Sequence, residues 1–459
     1  MLNISNRFFK FKHISIIFIL FTSIFFVLVY YFISSSKEEI ISKDIKINPQ
    51  ELYLQNSNKI FFINNKSSPI ISITLIFKGG SGLDPINKEG LATILSSMLL
   101  QGSNKQSAED FQKVLDEYSI RISTDSTRDS IIIHISFLNY YKEKAFSVLK
   151  YILNNKDYNT KEFEIIKQQM QTNLNFLIQD SSYIASNLLL KSIFPNNIYF
   201  RDSNGTKESI DNINIQDLIQ YKDTFINNNV SIGVSGNIDN KDLLLSLNTA
   251  LEEVLKMKVE FNHKKSSPVI SNKVLKVLDS KYKQSDFMIA MKSPQRNDPD
   301  YLPFIVLDSI FGGGSSLNSI LMEKIRIEQG LVYSISSNFV DTLYGSFWVV
   351  SGSTSNVSIG DSMKAFKNII YLLQDNTYDI SKIEDTKTWL RNSYIMRFAN
   401  NSIASSTLAY LLHYGYNIDY IYNRSKNIKS ITKDDIEKVI KKYLTGNFYT
   451  VIVGDEANK

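Results

Sequence analysis

Three hydroxyl side chains lie at the spacing of a metal-binding motif. Thr93, Ser96 and Ser97 occur together in the segment GLATILSSMLLQG. In an H-x-x-E-H motif with this spacing, two histidines bind zinc and the glutamate takes a proton from the bound water. A neutral hydroxyl is a poor zinc ligand, and it is a poor base near pH 7 without a partner that activates it. The segment is therefore predicted to bind no catalytic metal.

Histidine and cysteine usage supports the same conclusion. The chain has no cysteine, which excludes thiolate metal sites, a cysteine nucleophile and disulfides. None of its histidines lies within five residues of another, so no helix offers a pair one turn apart. A site assembled from distant histidines is the alternative that spacing leaves open, although lone histidines are more often structural. The four are His13, His134, His263 and His413.

The element that positions the three hydroxyls is predicted to be a helix. Leu91, Ile94, Leu95, Met98 and Leu99 recur at i, i+3, i+4, i+7 and i+8, which is the pattern of one buried helix face. The hydroxyls fall together on a different face of the same helix.

The surrounding segment, IISITLIFKGGSGLDPINKEGLATILSSMLLQGSNKQSAEDF, resembles the start of the pitrilysin/insulinase family of inverted zinc proteases, which includes mitochondrial processing peptidase. The resemblance maps the family's two histidines onto Thr93 and Ser97, and its glutamate onto Ser96. A further zinc-binding glutamate of the family maps near Thr172 or Asn173, where no carboxylate stands. The chain is thus identified as a member of this family that lacks the H-x-x-E-H zinc motif.

A second candidate site is the segment RIEQGLVYS. Arg326 is predicted to lie near the end of a helix, Gly330 to be the C′ residue, and Tyr333 to open a strand after the reversal. A guanidinium and a phenol together can hold a peptide carbonyl or the oxyanion that it becomes, but they cannot cleave it. The alternative interpretation is a solvated helix arginine and a half-buried strand tyrosine.

The resemblance adds a role to these two residues. Arg326 and Tyr333 match, at the same separation of seven, an Arg/Tyr pair that in the family hydrogen-bonds the substrate backbone opposite the zinc. They are the substrate-binding residues that the resemblance implies for this chain.

An internal repeat indicates how the chain is organised. Residues 209–239 align without gaps on residues 427–457 at an offset of 218, so that Ile213 matches Ile431 and Gly236 matches Gly454. Each copy is predicted to be an amphipathic helix, a turn and a closing strand. The fold class is therefore α+β, with two homologous domains in which an antiparallel sheet packs against helices. The family resemblance further implies that an approximate two-fold axis relates these domains.

The predicted boundaries follow from the repeat and from the N-terminal composition. The segments are a basic tail at 1–13, a transmembrane anchor or signal at 14–34, a spacer at 35–45, an N-terminal peptidase-like domain at 46–255, a linker at 256–275 and a C-terminal peptidase-like domain at 276–457.

Residues 14–34 contain no charged side chain and are long enough to cross a bilayer. Basic residues precede this segment, so the N-terminus is expected in the cytoplasm and the main body is expected to be exported, into the periplasm of a Gram-negative cell. A single-pass membrane protein is one interpretation. The alternative is a secreted or periplasmic protein after signal cleavage.

Composition is that of a folded protein. The chain has 459 residues, 43% of them hydrophobic, and a net charge of +5. This charge is modest and spread along the chain, and no long block of Lys and Arg with interleaved aromatics indicates a nucleic-acid partner.

The resemblance implies a non-catalytic, substrate-binding subunit, inactive alone and without a cofactor of its own. The expected partner is a homologous subunit that bears H-x-x-E-H and the zinc, and the expected substrate is a peptide or an unfolded segment, bound in extended form. One alternative is a structural or interaction protein on the same fold without substrate binding. The other is an active hydrolase whose site the motifs do not reveal.

Overall fold

The computed structural model describes residues 47–455 except residues 196, 228, 257–266, 314–317 and 376–381. The apolar segment at 14–34 lies outside these residues, as does half of the predicted linker, residues 257–266. Within the described ranges, no helix combines the length and the apolar character needed to cross a membrane.

Two sheets organise the described chain, and residues 49–236 supply the first. Its strands are β1 Pro49–Tyr53, β2 Lys59–Asn64, β3 Ile70–Lys78, β4 Arg121–Ser126, β5 Ser130–Leu138 and β6 Val230–Gly236. They lie in the order β1-β2-β6-β3-β5-β4, and β2 and β6 are the parallel neighbours.

The second sheet repeats this arrangement without the first edge strand. Its strands are β7 Lys273–Leu278, β8 Ser285–Met291, β9 Ser334–Asp341, β10 Ser346–Thr354 and β11 Tyr449–Gly454. They lie in the order β7-β11-β8-β10-β9, and β7 and β11 are parallel. The α+β class is confirmed. The prediction of antiparallel sheets was wrong in one respect, because each sheet contains one parallel pair and is therefore mixed. The two-fold relation between the halves stays a prediction.

Helices cover both sheets. They are α1 Leu91–Met98, α2 Ala108–Glu117, α3 Lys142–Asn154, α4 Thr160–Leu177, α5 Ser181–Ile193, α6 Lys207–Asp211, α7 Ile215–Phe225, α8 Asn240–Lys256, α9 Tyr301–Phe311, α10 Ile359–Gln374, α11 Ile383–Met396, α12 Asn401–His413, α13 Tyr420–Ser430 and α14 Lys433–Tyr443. A π-helical turn spans Met322–Ile327.

The sequence repeat forms the same local structure twice. In each copy a helix with a capping box precedes the closing strand: α7 before β6 and α14 before β11. The boxes pair Asn214 with Asp217 and Thr432 with Asp435, at equivalent repeat positions. Each box satisfies two backbone donors that the first helical turn would otherwise leave without a partner. The predicted helix, turn and strand are confirmed in both copies.

Each sheet packs one face against helices of its own half and the other against a helix of the opposite half. Helix α5, from the N-terminal half, lies on β8 and β11 of the second sheet. Helix α12, from the C-terminal half, lies on β3 and β6 of the first sheet. Both helices lie outside the aligned repeat segments, but at the same offset of 218 residues α5 overlaps α12, so the exchange is reciprocal.

The contact between α12 and the first sheet is close and polar. Gly233 on β6 has no space for a side chain, because a Cβ there would lie within 3.0 Å of backbone atoms of Ser405 and Ala409. Asn401 Nδ2 donates to the backbone oxygen of Ile70 at 2.8 Å, and Ser235 Oγ donates to Asn401 Oδ1 at 2.9 Å. These contacts position α12 along and across the sheet.

Candidate functional site

Helix α1 carries the degenerate motif. Its predicted apolar face is confirmed, because all five apolar residues of the pattern are buried. A buried carboxylate, Asp84, caps the helix: its oxygens accept from the N–H groups of Gly90 at 2.7 Å and Ala92 at 3.0 Å. Burial raises the pKa of Asp84 to about 7, although the two backbone donors oppose this shift. The helix start is therefore held from within the N-terminal half.

Of the three motif hydroxyls, two are hydrogen-bonded to backbone oxygens and the third is buried. Thr93 Oγ1 donates to the backbone oxygen of Ser203 at 3.1 Å, and Ser97 Oγ donates to the backbone oxygen of Thr93 at 3.1 Å. Ser96 is buried, and its Oγ has no hydrogen-bond partner among the described residues. Helix α1 thus uses two hydroxyls for bonds to backbone oxygens, where the family's motif uses charged or metal-binding groups.

The family's remaining zinc ligand has no counterpart in α4. Thr172 is exposed and donates to the backbone oxygen of Gln168, one turn earlier, while Asn173 is exposed. In the part of the chain that the structure describes, no three His, Asp or Glu side chains lie together in a group that could hold a metal ion. Neither helix offers the ligand set that a catalytic zinc requires.

Arg326 and Tyr333 lie on either side of a tight reversal. The π-helical turn ends at Ile327, one residue after Arg326, and Gly330 follows with a φ of 64°. The left-handed glycine is as predicted, but the C-cap is Glu328, so Gly330 lies one residue beyond the predicted C′ position. Tyr333 precedes β9 by one residue, and its N–H donates to the backbone oxygen of Ser353 on β10 at 2.8 Å.

Both side chains point away from the core. Arg326 is exposed, and Tyr333 is 57% exposed. Within the described ranges neither side chain forms a hydrogen bond or an ion pair, and none joins the two to each other. The neighbouring apolar residues Ile320 and Ile325 are buried. The segment is therefore anchored by buried apolar residues, and it exposes the guanidinium and the phenol to solvent.

A cavity of about 570 Å³ lies between the two halves. Edge strands of both sheets reach it, through Ser126 at the end of β4 and through Asn338 and Val340 on β9. Ser203, whose backbone oxygen accepts from Thr93, also lines it. The degenerate motif helix is therefore one hydrogen bond away from this inter-half cavity.

A buried polar cluster closes one side of the cavity. Tyr199 Oη donates to Asp129 Oδ1 at 2.6 Å, and the backbone N–H of Leu343 donates to Asp129 Oδ2 at 3.1 Å. Burial raises the pKa of Asp129, while the Tyr199 hydroxyl opposes the shift. Sequence reasoning missed this cluster, because an aspartate in a polar turn and a tyrosine 70 residues later carry no motif.

Comparisons with known proteins agree with this geometry. Residues 59–204 match the model of the insulinase family, Peptidase family M16, and residues 212–388 match the model described as the Peptidase M16 inactive domain. The chain belongs to the insulinase family of inverted zinc peptidases. Within that family it is a member without the H-x-x-E-H motif, with Thr93, Ser96 and Ser97 at the motif positions.

Similar proteins include two that are named as inactive. A Helicobacter pylori protein named non-peptidase homolog YmxG is 26% identical over 410 residues, covering 87% of this chain and 92% of that protein. A Bacillus subtilis protein named probable inactive metalloprotease YmfF is 25% identical over 414 residues, covering 82% and 92%.

A crystal structure shares the fold. It is the peptidase M16 inactive domain from Pseudomonas fluorescens, which superposes with a TM-score of 0.82 at 20% identity and covers 90% of this chain and 98% of that one.

Proposed function

We propose that this chain is the non-catalytic, substrate-binding subunit of an exported peptidase complex of the insulinase family. Its partner is a homologous subunit that carries H-x-x-E-H and the catalytic zinc. The substrate is a peptide or an unfolded protein segment. Residues 14–34 anchor the chain in the cell membrane, with the main body exported.

A contrast between two sets of side chains carries this proposal. Thr93 and Ser97 are engaged with backbone oxygens, and Ser96 is buried. Arg326 and Tyr333 are exposed and, among the described residues, have no partner. Exposure leaves both groups accessible to a substrate, and their matched spacing is the feature that favours substrate binding over a solvated surface pair.

The pair suits the backbone of a bound peptide. A guanidinium offers several donors in a fixed plane and keeps its charge at every physiological pH, and a phenol adds one more donor. Such donors stabilise negative charge that develops on a peptide carbonyl oxygen when a partner's zinc-bound water attacks it. This chain contributes the binding groups, and the partner contributes the attacking water.

The inter-half cavity supports binding of an extended segment. Strands β4 and β9 are edge strands, so each has backbone groups that no strand of its own sheet pairs, although on β9 the N–H of Ser337 already donates to the backbone oxygen of Gly312 at 2.9 Å. Both edges border the same cavity. An extended peptide that adds to a sheet edge forms main-chain hydrogen bonds, and its alternate side chains enter the neighbouring pockets.

The proposal is tested by isolating the complex from its native membrane and measuring peptide cleavage with wild-type and substituted chains. Arg326→Ala and Tyr333→Phe should each lower kcat by roughly 10²–10³-fold, because each removes one transition-state donor. Both complexes should still assemble. Zinc should be found in the partner and at well under one equivalent in this chain.

Two exposed residues elsewhere serve as matched controls. Tyr371 is 58% exposed, close to the exposure of Tyr333, and Arg397 is also exposed. Tyr371→Phe and Arg397→Ala should leave turnover unchanged. If Arg326→Ala and Tyr333→Phe leave kcat, KM and peptide binding unchanged in a verified complex, the site is wrong and the chain is a structural subunit.

A further inference from the structure

A histidine on the first sheet lies between two hydroxyls. His134, on β5, has its Nε2 at 2.7 Å from Ser402 Oγ and its Nδ1 at 2.8 Å from Thr74 Oγ1. Thr74 lies opposite His134 on β3, and Ser402 is the second residue of α12. The exchanged helix thus brings a serine to a histidine 268 residues away in sequence.

The hydrogen bonds around His134 indicate which of its ring nitrogens carries the proton. Ser405 Oγ donates its proton to the backbone oxygen of Ser402 at 2.9 Å, so at its 3.0 Å contact with Thr74 Oγ1 it accepts. Thr74 Oγ1 also lies 3.2 Å from Ser406 Oγ. A hydroxyl has one proton, so with Ser405 as the acceptor Thr74 donates to Ser405, and its lone pairs accept from His134 Nδ1–H and from Ser406. The lone pair of Nε2 therefore faces Ser402.

The histidine is suited to accept a proton from that serine. Burial lowers the pKa of His134, so the imidazole is neutral near pH 7. A second hydroxyl, Ser136 Oγ, lies 3.3 Å from Nε2 but is closer to Ser72 Oγ, at 2.8 Å. Ser402 is the nearer of the two hydroxyls that face the base.

The site is open to a ligand. His134 and Ser402 both line a cavity of about 540 Å³, together with the apolar residues Ile70 and Phe137. A cavity of this size accommodates a small organic molecule. Arg121, on β4, also lines the cavity and forms no ion pair within the described ranges.

We propose that this chain, although it does not cleave peptides by itself, hydrolyses small acyl esters with a short apolar chain, and that Ser402 is the nucleophile, activated by His134. Thr74 is a positioning residue, which holds the imidazole through Nδ1. Arg121 supplies positive charge for the oxyanion, because Asn400 Oδ1 already occupies the N–H groups of Ser402 and Ile403.

The reaction balances without a cofactor. Ser402 Oγ bonds to the acyl carbon while its proton moves to His134 Nε2. The adduct collapses, the ester bond breaks, and the alcohol leaves with the proton from Nε2. A water molecule then repeats the sequence at the acyl carbon, giving the carboxylic acid and the free serine.

The test uses the full-length chain alone, in EDTA, with an alkyl fluorophosphonate and with 4-nitrophenyl butyrate. The fluorophosphonate should bond to Ser402 Oγ with loss of fluoride, as peptide mass spectrometry would show. Ser402→Ala should abolish the label. His134→Gln should slow labelling by about 10²–10⁴-fold. Thr74→Val should slow ester hydrolysis, and Thr74→Ser should restore it.

Ser136→Ala is the matched control, because it removes the other hydroxyl near Nε2 and should keep the label. Each variant is compared only if its thermal unfolding remains cooperative. The proposal is overturned if wild type carries no label on Ser402 under conditions that fully label a known serine esterase, or if Ser402 is still labelled at the wild-type rate in His134→Gln. No zinc-bearing partner is present, so neither result bears on Arg326 and Tyr333.

Discussion

Individual side chains show how one helix can keep its place while its chemistry changes. Thr93 and Ser97 occupy motif positions, and their hydroxyls donate hydrogen bonds to backbone oxygens. These bonds require neither a metal nor a charged group. Ser96 keeps a buried hydroxyl without a partner among the described residues. Such a group costs roughly 1–3 kcal/mol, which is less than an unpaired glutamate would cost at the same place.

A buried histidine on α12 predicts acid sensitivity. Both ring nitrogens of His413 are buried without a partner among the described residues. Burial, with the charges of Lys78 and Arg296 nearby, lowers the pKa of His413 to about 3. The unfolded chain binds this proton near pH 6.5. Below about pH 6.5 the unfolded chain takes up a proton that the folded chain does not bind. The free energy of unfolding is therefore unaffected above about pH 6.5 and decreases as the pH falls from there toward 3.

Replacing this histidine should remove the pH dependence that it causes. His413→Phe keeps a ring against Tyr414 but cannot be protonated. Between pH 7.5 and pH 5 the free energy of unfolding should fall by about 2 kcal/mol more in wild type than in the variant. Urea denaturation at the two pH values measures this. The control Tyr410→Phe should show the same decrease in the free energy of unfolding between the two pH values as wild type. An equal decrease in wild type and His413→Phe would contradict the prediction.

At the scale of elements, the exchange of α5 and α12 decides what each sheet covers. The face of β3 that meets α12 carries Ser72 and Thr74, both buried, between apolar residues that face the other way. Small residues on α12, including Ala404 and Ser405, let its backbone approach the sheet. The result is a thin polar layer, which also holds the Ser402–His134 contact.

A single methyl group should disturb that layer. In Gly233→Ala the new Cβ would meet backbone atoms of Ser405 and Ala409, which cannot rotate away. We expect a loss of about 1–3 kcal/mol in the free energy of unfolding, measured by chemical denaturation. Gly360→Ala is the control: nothing lies within 4 Å of its Cβ, and alanine favours the helix. Equal stability of the two variants would mean that α12 does not press on the sheet.

For the whole molecule, the exchanged helices make each half incomplete alone. The N-terminal half would expose the sheet face that α12 covers, and the C-terminal half would expose the face under Ala185, Leu189 and Ile193 of α5. Large exposed apolar surfaces destabilise or aggregate a folded unit. The two halves are therefore interdependent for folding, although each has its own sheet.

Separate expression of the halves tests this interdependence. A fragment ending at Lys256 and one starting at Ser267 should co-purify when expressed together and elute as one species. Expressed singly, each should be insoluble or unfold without a cooperative transition. If one fragment alone is monomeric and unfolds cooperatively, the exchange is not needed for the stability of that half.

Local patterns in the sequence were enough for the elements and for the loss of the zinc motif. Helix α1, the capped helices α7 and α14 with their closing strands, and the left-handed Gly330 follow from periodicity and residue type, which act over a few neighbours. The positions of Thr93, Ser96 and Ser97 needed only the matched spacing. These features were readable because their physical causes are local.

Only the tertiary structure decided which sheet each helix covers and which distant residues meet. An amphipathic pattern marks α12 as packed on one side, but it does not say that the first sheet is its partner. Ser402 meets His134, and Tyr199 meets Asp129, across separations that no periodicity encodes. Such contacts result from the burial of whole faces, because the free energy of covering a sheet is summed over many residues rather than determined by any one of them.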